Sequence, residues 1–476
     1  MKPRATSICS TILTASLIVS VLQPQSTAQS SSAQSIDTIN PALRQRIDRI
    51  AAQVLELRGI PSASIAVVEH GKLVYTHAYG LAHIDPPEAA TPAMRYSIGS
   101  ISKQFCATAI LLLQEQGKLS LDDPVGKYVP GLTRGNEVTI RQILSHTSGY
   151  QDYAPEDYPV KSQLGPVTPR QILDTWATKP LDFEPGTQWQ YSNTNYVIAG
   201  LIVEKVTGEK LFAYLGEHIF RPMGMKSAWN SDEKELTRTD AAPYMRNALG
   251  PPRPVPNGGQ GWMFAAGELA MTPHDLALWD ESILARSILS SESCKKMFTE
   301  VKLKDGNGTH YGLGVEVTER NGLRSIEHSG EVNGFVSDNE VLIDNGVAVA
   351  VTTNHMGGGA EEIAQLVAAA VAGNPKEPPA EAQARAIYSA LQKGEIDRSL
   401  LAPNLNDYFS AQILDDFKSS LAPLGDPPIF HMTRESLRGG MTFRVFEIVY
   451  PGQKLRLTTY TYPDGKLEQY LVEPAD

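Results

Sequence analysis

The chain has 476 residues, too many for one ordinary domain, and its 42% hydrophobic and 20% charged residues match a soluble globular protein rather than a disordered chain or a membrane bundle. A formal charge of −11 argues against nucleic acid or anionic lipid as a partner, because phosphate binding depends on clustered Lys and Arg.

In chain order, Lys2 and Arg4 precede an apolar stretch from Ile8 to Leu22, and Ser26-Thr27-Ala28 supplies small residues at a cleavage point. Residues 1–28 read as a secretory signal, which makes the mature protein periplasmic or secreted; the competing reading is an uncleaved anchor, for which the apolar run is short. Loss of Lys2 and Arg4 takes the formal charge from −11 to −13. No later segment is apolar enough to span a bilayer. Cys9 leaves with the signal, so Cys106 and Cys294 remain and form no disulfide framework; Cys106 sits in an apolar stretch and reads as a buried thiol.

After a linker over residues 29–40, helical spacing runs from Pro41 to Leu57 and strands over Ser62 to Glu69 and Leu73 to Tyr79, turned by His70-Gly71-Lys72. From Ser100 to Gln116 the sequence is apolar almost all round and stops at Gly117, the pattern of a helix buried within a domain. Helices follow at Ile140 to Leu144, Pro169 to Ala177, Tyr196 to Val206, Leu211 to Ile219 and Pro273 to Trp279. The period then becomes that of strands: Gly312 to Thr318, Arg324 to His328, Gly334 to Ile343 and Val347 to Thr353, before a helix from Ala360 to Ala372. Strands from both ends around a helical middle imply an α+β domain, residues 41–373, with one sheet built from distant segments. The turn-rich residues 374–380 mark a linker. A smaller α+β unit, 381–476, opens with helices near Glu381 to Lys393 and Ala411 to Ser419. It continues with strands near Phe430 to Thr433, Thr442 to Val449, Lys454 to Tyr462 and Lys466 to Leu471.

Ser three residues before Lys places a hydroxyl and an amine on one helix face, where the amine can take the hydroxyl proton. The pattern occurs at Ser100/Lys103, Ser231/Lys234 and Ser293/Lys296. The last two lie in polar runs that read as exposed helix ends. Ser100 opens the apolar helix, where its backbone N–H is free to stabilise an oxyanion, and Lys103 beside Ile101, Phe105 and Cys106 is desolvated, which lowers an amine's pKa. Tyr191-Ser192-Asn193 offers a phenol whose pKa a nearby cation such as Lys103 would lower. His328-Ser329-Gly330 ends a predicted strand, where Gly330 allows a substrate to lie against the backbone and the imidazole and hydroxyl can reach its carboxylate or carbonyl.

In this order the three triplets resemble the class C β-lactamase and DD-peptidase superfamily of serine hydrolases, which carry related Ser-x-x-Lys and Lys-Thr-Gly motifs with Tyr-x-Asn in the middle place. The resemblance runs from about Ile60 to Thr353. It includes the stretch from Gly117 to Val125, Ile143-Leu144-Ser145-His146-Thr147-Ser148-Gly149, and Arg221-Pro222-Met223-Gly224-Met225. It implies that Ser100 attacks an amide or ester carbonyl while Lys103 and Tyr191 carry its proton. It also implies that Asn193 orients Lys103 and the substrate amide, that the N–H groups of Ser100 and Glu331 hold the oxyanion, and that water then releases the acyl group. His328 stands where β-lactamases of this type usually carry Lys. A neutral imidazole holds a β-lactam carboxylate less well than an ammonium, so the resemblance points first to a DD-carboxypeptidase, D-aminopeptidase or esterase and second to a β-lactamase. A catalytically silent penicillin-binding sensor is the alternative from another class.

No cofactor is implied, and without His-Glu-x-x-His or Cys-x-x-Cys no metal site is expected. Gly357-Gly358-Gly359 reads as a plain connector. Tyr150, Tyr153 and Tyr158 read as loop packing, with the pocket walls in Tyr150 to Gln163 and Asn247 to Phe264. The C-terminal unit bears a likeness to the SnoaL-like α+β cone and reads as a docking, dimerising or pocket-covering module without its own chemistry. The expected partner is a small-molecule or peptide substrate; oligomeric state is left open.

Overall fold

In the computed structural model, the described residues are 36–156, 160–256, 258–320, 323–373 and 379–475. The segment read as a signal, Tyr158, and most of the 374–380 linker lie outside them. A seven-stranded antiparallel sheet organises the fold. Its strands are β1 (Ser62–Glu69), β2 (Lys72–His83), β3 (Glu88–Ala89), β4 (Glu316–Arg320), β5 (Leu323–Val332), β6 (Phe335–Leu342) and β7 (Val347–Thr353). Their spatial order is β3-β2-β1-β7-β6-β5-β4, so the first and last strands of the domain meet at the β1–β7 pair, with Ile65 opposite Val351. β1 and β7 are apolar along most of their length because both faces are covered, the signature of central strands.

One face packs against α1 (Pro41–Arg58) and α5 (Ala360–Ala372), with Ile65, Val67, Val349 and Val351 meeting Ile47, Val54, Ile363 and Val367. The other meets α2 (Ser102–Glu115) and α4 (Pro273–Ala285), and α3 (Asn193–Thr207) closes over α2. Within α2, Ser102 through Leu111 and Leu113 are all buried, as the all-round apolar pattern requires, and Gly117 at φ +69° ends the run. A helix surrounded on every side cannot shift without disturbing the core, so it is a rigid mount for whatever sits at its N-terminus.

Several boundaries differ from the sequence expectation. β5 does not end at His328 but continues to Val332, because Ser329 to Val332 pair with Asp338 to Phe335 of β6. The strand expected from Gly312 starts at Glu316, and α4 runs to Ala285, six residues past Trp279. Ser293 is not at an exposed helix end but is buried inside the helix Ser291–Met297, while Ser231 lies in a turn with its hydroxyl donating to the Glu268 carbonyl.

The C-terminal segment belongs to the same compact unit, Ser35–Asp476, yet keeps a core of its own around Tyr388, Leu391, Phe446, Leu457 and Tyr470. Three α-helices precede a four-stranded meander of β8 (Ile429–Arg438), β9 (Met441–Tyr450), β10 (Gln453–Thr461) and β11 (Leu467–Pro474). The Pro463–Lys466 turn forms as expected, with Tyr462 N–H donating to the Lys466 carbonyl. The segment is fastened to the larger domain through Gly452 N–H, which donates to Glu362 at 2.8 Å, and through Arg46, which donates to the Pro427 carbonyl.

Candidate active site

Ser100 occupies a single 3-10 turn, Gly99–Ile101, that runs directly into α2, so its side chain and that of Lys103 emerge on the same side one turn apart. Lys103 is fully buried beneath the cleft floor, with its Nζ 2.8 Å from Ser100 Oγ, 2.9 Å from Asn193 Oδ1 and 2.8 Å from the Ala266 carbonyl oxygen. The last two atoms can only accept. Asn193 is oriented by Asp152, whose carboxylate accepts from the Asn193 backbone N–H at 3.0 Å and from its Nδ2 at 3.3 Å, so Oδ1 is the atom left to face Lys103. A neutral amine would spend its two N–H bonds on Asn193 and Ala266, which turns its lone pair toward the Ser100 hydroxyl. Burial lowers the Lys103 pKa to about 7, with the Asp152 carboxylate opposing that shift, so the neutral form is well populated at neutral pH.

Tyr191 donates its phenol proton to Ser100 Oγ at 2.7 Å. Its ring lies 4.9 Å from Lys103 Nζ. Contrary to the expectation from sequence, the nearby amine does not lower the phenol's pKa: burial dominates and raises it above the ordinary value, with the Ser100 hydrogen bond opposing. Tyr191 therefore stands as a neutral donor. Ser100 thus accepts from the phenol on one side and has the amine lone pair as its own acceptor on the other.

The third triplet lies along the edge of β5. β4 pairs with β5 only between Leu323 and Glu327, so among the described residues the outer edge from His328 to Val332 carries no neighbouring strand. His328 is buried and both ring nitrogens are engaged: Nδ1 lies 2.5 Å from the Ser329 carbonyl oxygen and Nε2 lies 2.8 Å from the Tyr311 hydroxyl. Because a carbonyl can only accept, Nδ1 carries the proton and Nε2 accepts from Tyr311. Burial, reinforced by Lys103, pushes the His328 pKa down to about 3, so the imidazole is neutral. In this arrangement it ties β5 to Tyr311 rather than offering a spare donor to a carboxylate.

Ser100 and Glu331 belong to segments in direct backbone contact. A Cβ added to Gly99, which has φ +50°, would lie 2.8 Å from Glu331 N, and one added to Gly330 would lie 2.0 Å from the Ile98 carbonyl oxygen. Only glycine allows the two main chains to approach this closely.

Ser100, Tyr191, Asn193, His328, Ser329 and Glu331 line one cleft of about 430 Å³, with Lys103 buried below it, while Gly330 lines a neighbouring cavity instead. Both expected wall segments contribute, through Asp152, Tyr153 and Gln163 and through Met263, but Trp189, Glu316, Asn333 and Met356 also line it and were not foreseen. Tyr150 and Tyr153 are buried, and Tyr153 both packs and faces the cleft. Asp152 was missed because a lone carboxylate in a Tyr-rich loop has no motif. His146, within the Ile143–Gly149 motif, lies beside Tyr191. Its Nδ1 accepts from Ser192 N–H and from Asn195 Nδ2, each at 3.2 Å, and its ring stacks 4.4 Å from that of Tyr191. Cys106 and Cys294 are buried free thiols. Among the described residues, the one acidic cluster with metal-binding spacing is Glu327, Asp338 and Glu340 on β5 and β6, with ligand atoms within 4.8 Å of one another.

A family model described as Beta-lactamase matches residues 47–373. Among curated proteins, the chain is 29% identical over 275 residues to a Bacillus subtilis protein named as a penicillin-binding protein, covering 58% of this chain and 66% of that one. It is 27% identical over 323 residues to a D-aminopeptidase of Gluconobacter oxydans, covering 67% of this chain and 60% of that one. These alignments span less than two thirds of either relative. A solved D-stereospecific amidohydrolase from Streptomyces aligns with a TM-score of 0.60 and 28% identity over 68% of this chain and 97% of its own.

Proposed function

The chain belongs to the beta-lactamase family, and from that premise we propose that it is a serine hydrolase that forms an acyl-enzyme on Ser100 and acts on peptides or amides of D-amino acids. The observation that carries this reading is the placement of Ser100 Oγ between a phenol that donates to it and a buried amine whose two other partners are acceptors only.

Neutral Lys103 takes the Ser100 proton as Oγ attacks the scissile carbonyl, and the carbonyl oxygen becomes an oxyanion held by the N–H groups of Ser100 and Glu331. When the C–N bond breaks, the leaving nitrogen takes a proton from the Tyr191 hydroxyl, which is replenished by the Lys103 ammonium; the lysine and phenol are then restored. Water attacks the ester by the reverse path, giving its proton to Lys103 while Ser100 regains one from it. Asn193, held by Asp152, keeps Lys103 in register. Neutral, fully engaged His328 supports an amidase or peptidase reading over efficient capture of anionic β-lactams.

Residues 1–28 act as an export signal in this reading and place the enzyme in the periplasm or outside the cell. Residues 381–476 form a second, non-catalytic domain of the SnoaL-like type beyond the 374–380 linker. Turnover on a D-Ala-D-Ala peptide, a D-amino-acid amide, a short acyl ester and a cephalosporin tests the function. We expect D-peptide or D-amide turnover to lead; a cephalosporin turned over best would assign a β-lactamase instead.

A further inference from the structure

The cleft does not stop at the edge of β5. Ser329 and Glu331, which line the cleft above Ser100, also line a second and larger cavity of about 1010 Å³ on the other side of the strand. The alternation of β5 explains the double exposure. Ile326 packs in the core on the α2 side, so even-numbered residues, including His328, face Ser100. Glu331 is paired with Val336, which packs in the core against α1 and α5, so Ser329 and Glu331 point to the opposite face.

The far wall of the second cavity is the C-terminal sheet, through Ile429 of β8, Glu447 and Val449 of β9, Gly452 in the β9–β10 turn, and Gln453 and Lys454 of β10. This wall is held in place. Ile429 and Val449 pack on the same apolar cluster as α1 and α5, and Glu362, which accepts from Gly452 N–H, is bound on its other side by Arg58 at 2.7 Å.

We propose that the C-terminal sheet is part of the substrate site: an extended peptide adds to the unpaired edge of β5 from His328 to Val332, its side chains pointing alternately toward Ser100 and into the cavity under the C-terminal sheet. An added strand advances about 3.3 Å per residue and turns successive side chains to opposite faces, which is what two cavities on either side of one strand edge accommodate. A volume of about 1010 Å³ is at the upper end of ordinary small-ligand pockets, more than a single short side chain fills. Among the described residues the cavity lining includes two ion pairs, Arg58 with Glu362 and Lys454 with Glu447 at 3.3 Å. The substrate class is a D-amino-acid peptide of several residues rather than a single amide.

This rests on the serine hydrolase reading, and its test separates the two. With full-length protein, kcat/KM is measured for D-Ala-D-Ala peptides lengthened one residue at a time, alongside labelling of Ser100 by a fluorophosphonate. We expect kcat/KM to rise at least tenfold at one added residue, and Gln453→Trp, which fills the cavity from the C-terminal sheet, to lower the long-to-short ratio at least tenfold while Ser100 is still labelled. No length dependence, or a ratio unchanged by Gln453→Trp, overturns the proposal while leaving the hydrolase intact; no labelling of Ser100 in the wild type overturns both. Should Gln453→Trp fail to fold, hydrogen exchange decides. Residues 447–454 of the Ser100→Ala protein should be protected by the long peptide and not by the short one, and equal protection by both rejects the extended site.

Discussion

At the residue scale, the site works through differences in burial more than through charge. Lys103 is fully buried and its pKa falls to about 7, whereas the same burial raises that of Tyr191, so a base and a donor flank one hydroxyl. The acylation rate should therefore rise as pH passes through about 7 and Lys103 loses its proton, and this limb should vanish in Lys103→Met along with most activity; stopped-flow acylation against pH checks it. The same shift affects stability. Between about pH 7 and the unfolded value near 10.4, the native state binds fewer protons at this position than the unfolded chain, so the contribution of Lys103 to stability grows as pH rises. Tyr191→Phe removes only the donor, and a loss of about 10²–10⁴-fold in turnover with binding little changed is expected from steady-state kinetics. In His328→Lys the added ammonium should strengthen capture of anionic β-lactams; an unchanged or slower acylation rate shows that position 328 does not meet the carboxylate.

At the scale of elements, α2 and β5 carry the site between them. The contact at Gly99 leaves no room for a methyl group against Glu331 N, so Gly99→Ala should leave the protein folded by circular dichroism and lower kcat by about 10²-fold or more, the effect of losing one oxyanion donor. Leu111, fully buried two turns beyond Lys103, should cost about 2–5 kcal/mol as Leu111→Ala, read from urea denaturation. These elements also show what was legible from sequence. The α2 pattern was readable because a helix buried on all sides has no polar stripe, and Ser100 and Lys103 followed from it. The continuation of β5 past His328 was not, because Ser329-Gly330-Glu331 has neither apolar alternation nor β-branched residues and becomes a strand only through pairing with β6. Nor could Asp152 be found, since its role depends on Asn193, forty-one residues away in sequence and meeting it only in the folded loop. The shift expected for Tyr191 runs the other way because the burial that comes with the site outweighs the nearby cation.

At the scale of the molecule, two cores are joined through α1 and α5, and the sheet of the smaller one overlooks the strand edge on which a substrate would lie. The α+β organisation, the central sheet closed by distant strands and the C-terminal meander all match what the strand and helix periods announced, while the cavity between the two parts has no sequence signal, being lined by residues far apart in the chain that meet only in the fold. Catalysis turns on one bond, the ester formed on Ser100 Oγ. Intact mass spectrometry after incubation with a fluorescent penicillin or a fluorophosphonate tests it most directly: a single adduct on the wild-type chain that maps to Ser100 and is absent from Ser100→Ala is the predicted result. An adduct that persists in Ser100→Ala, or none with either reagent on the wild type, excludes Ser100 as the acylated nucleophile.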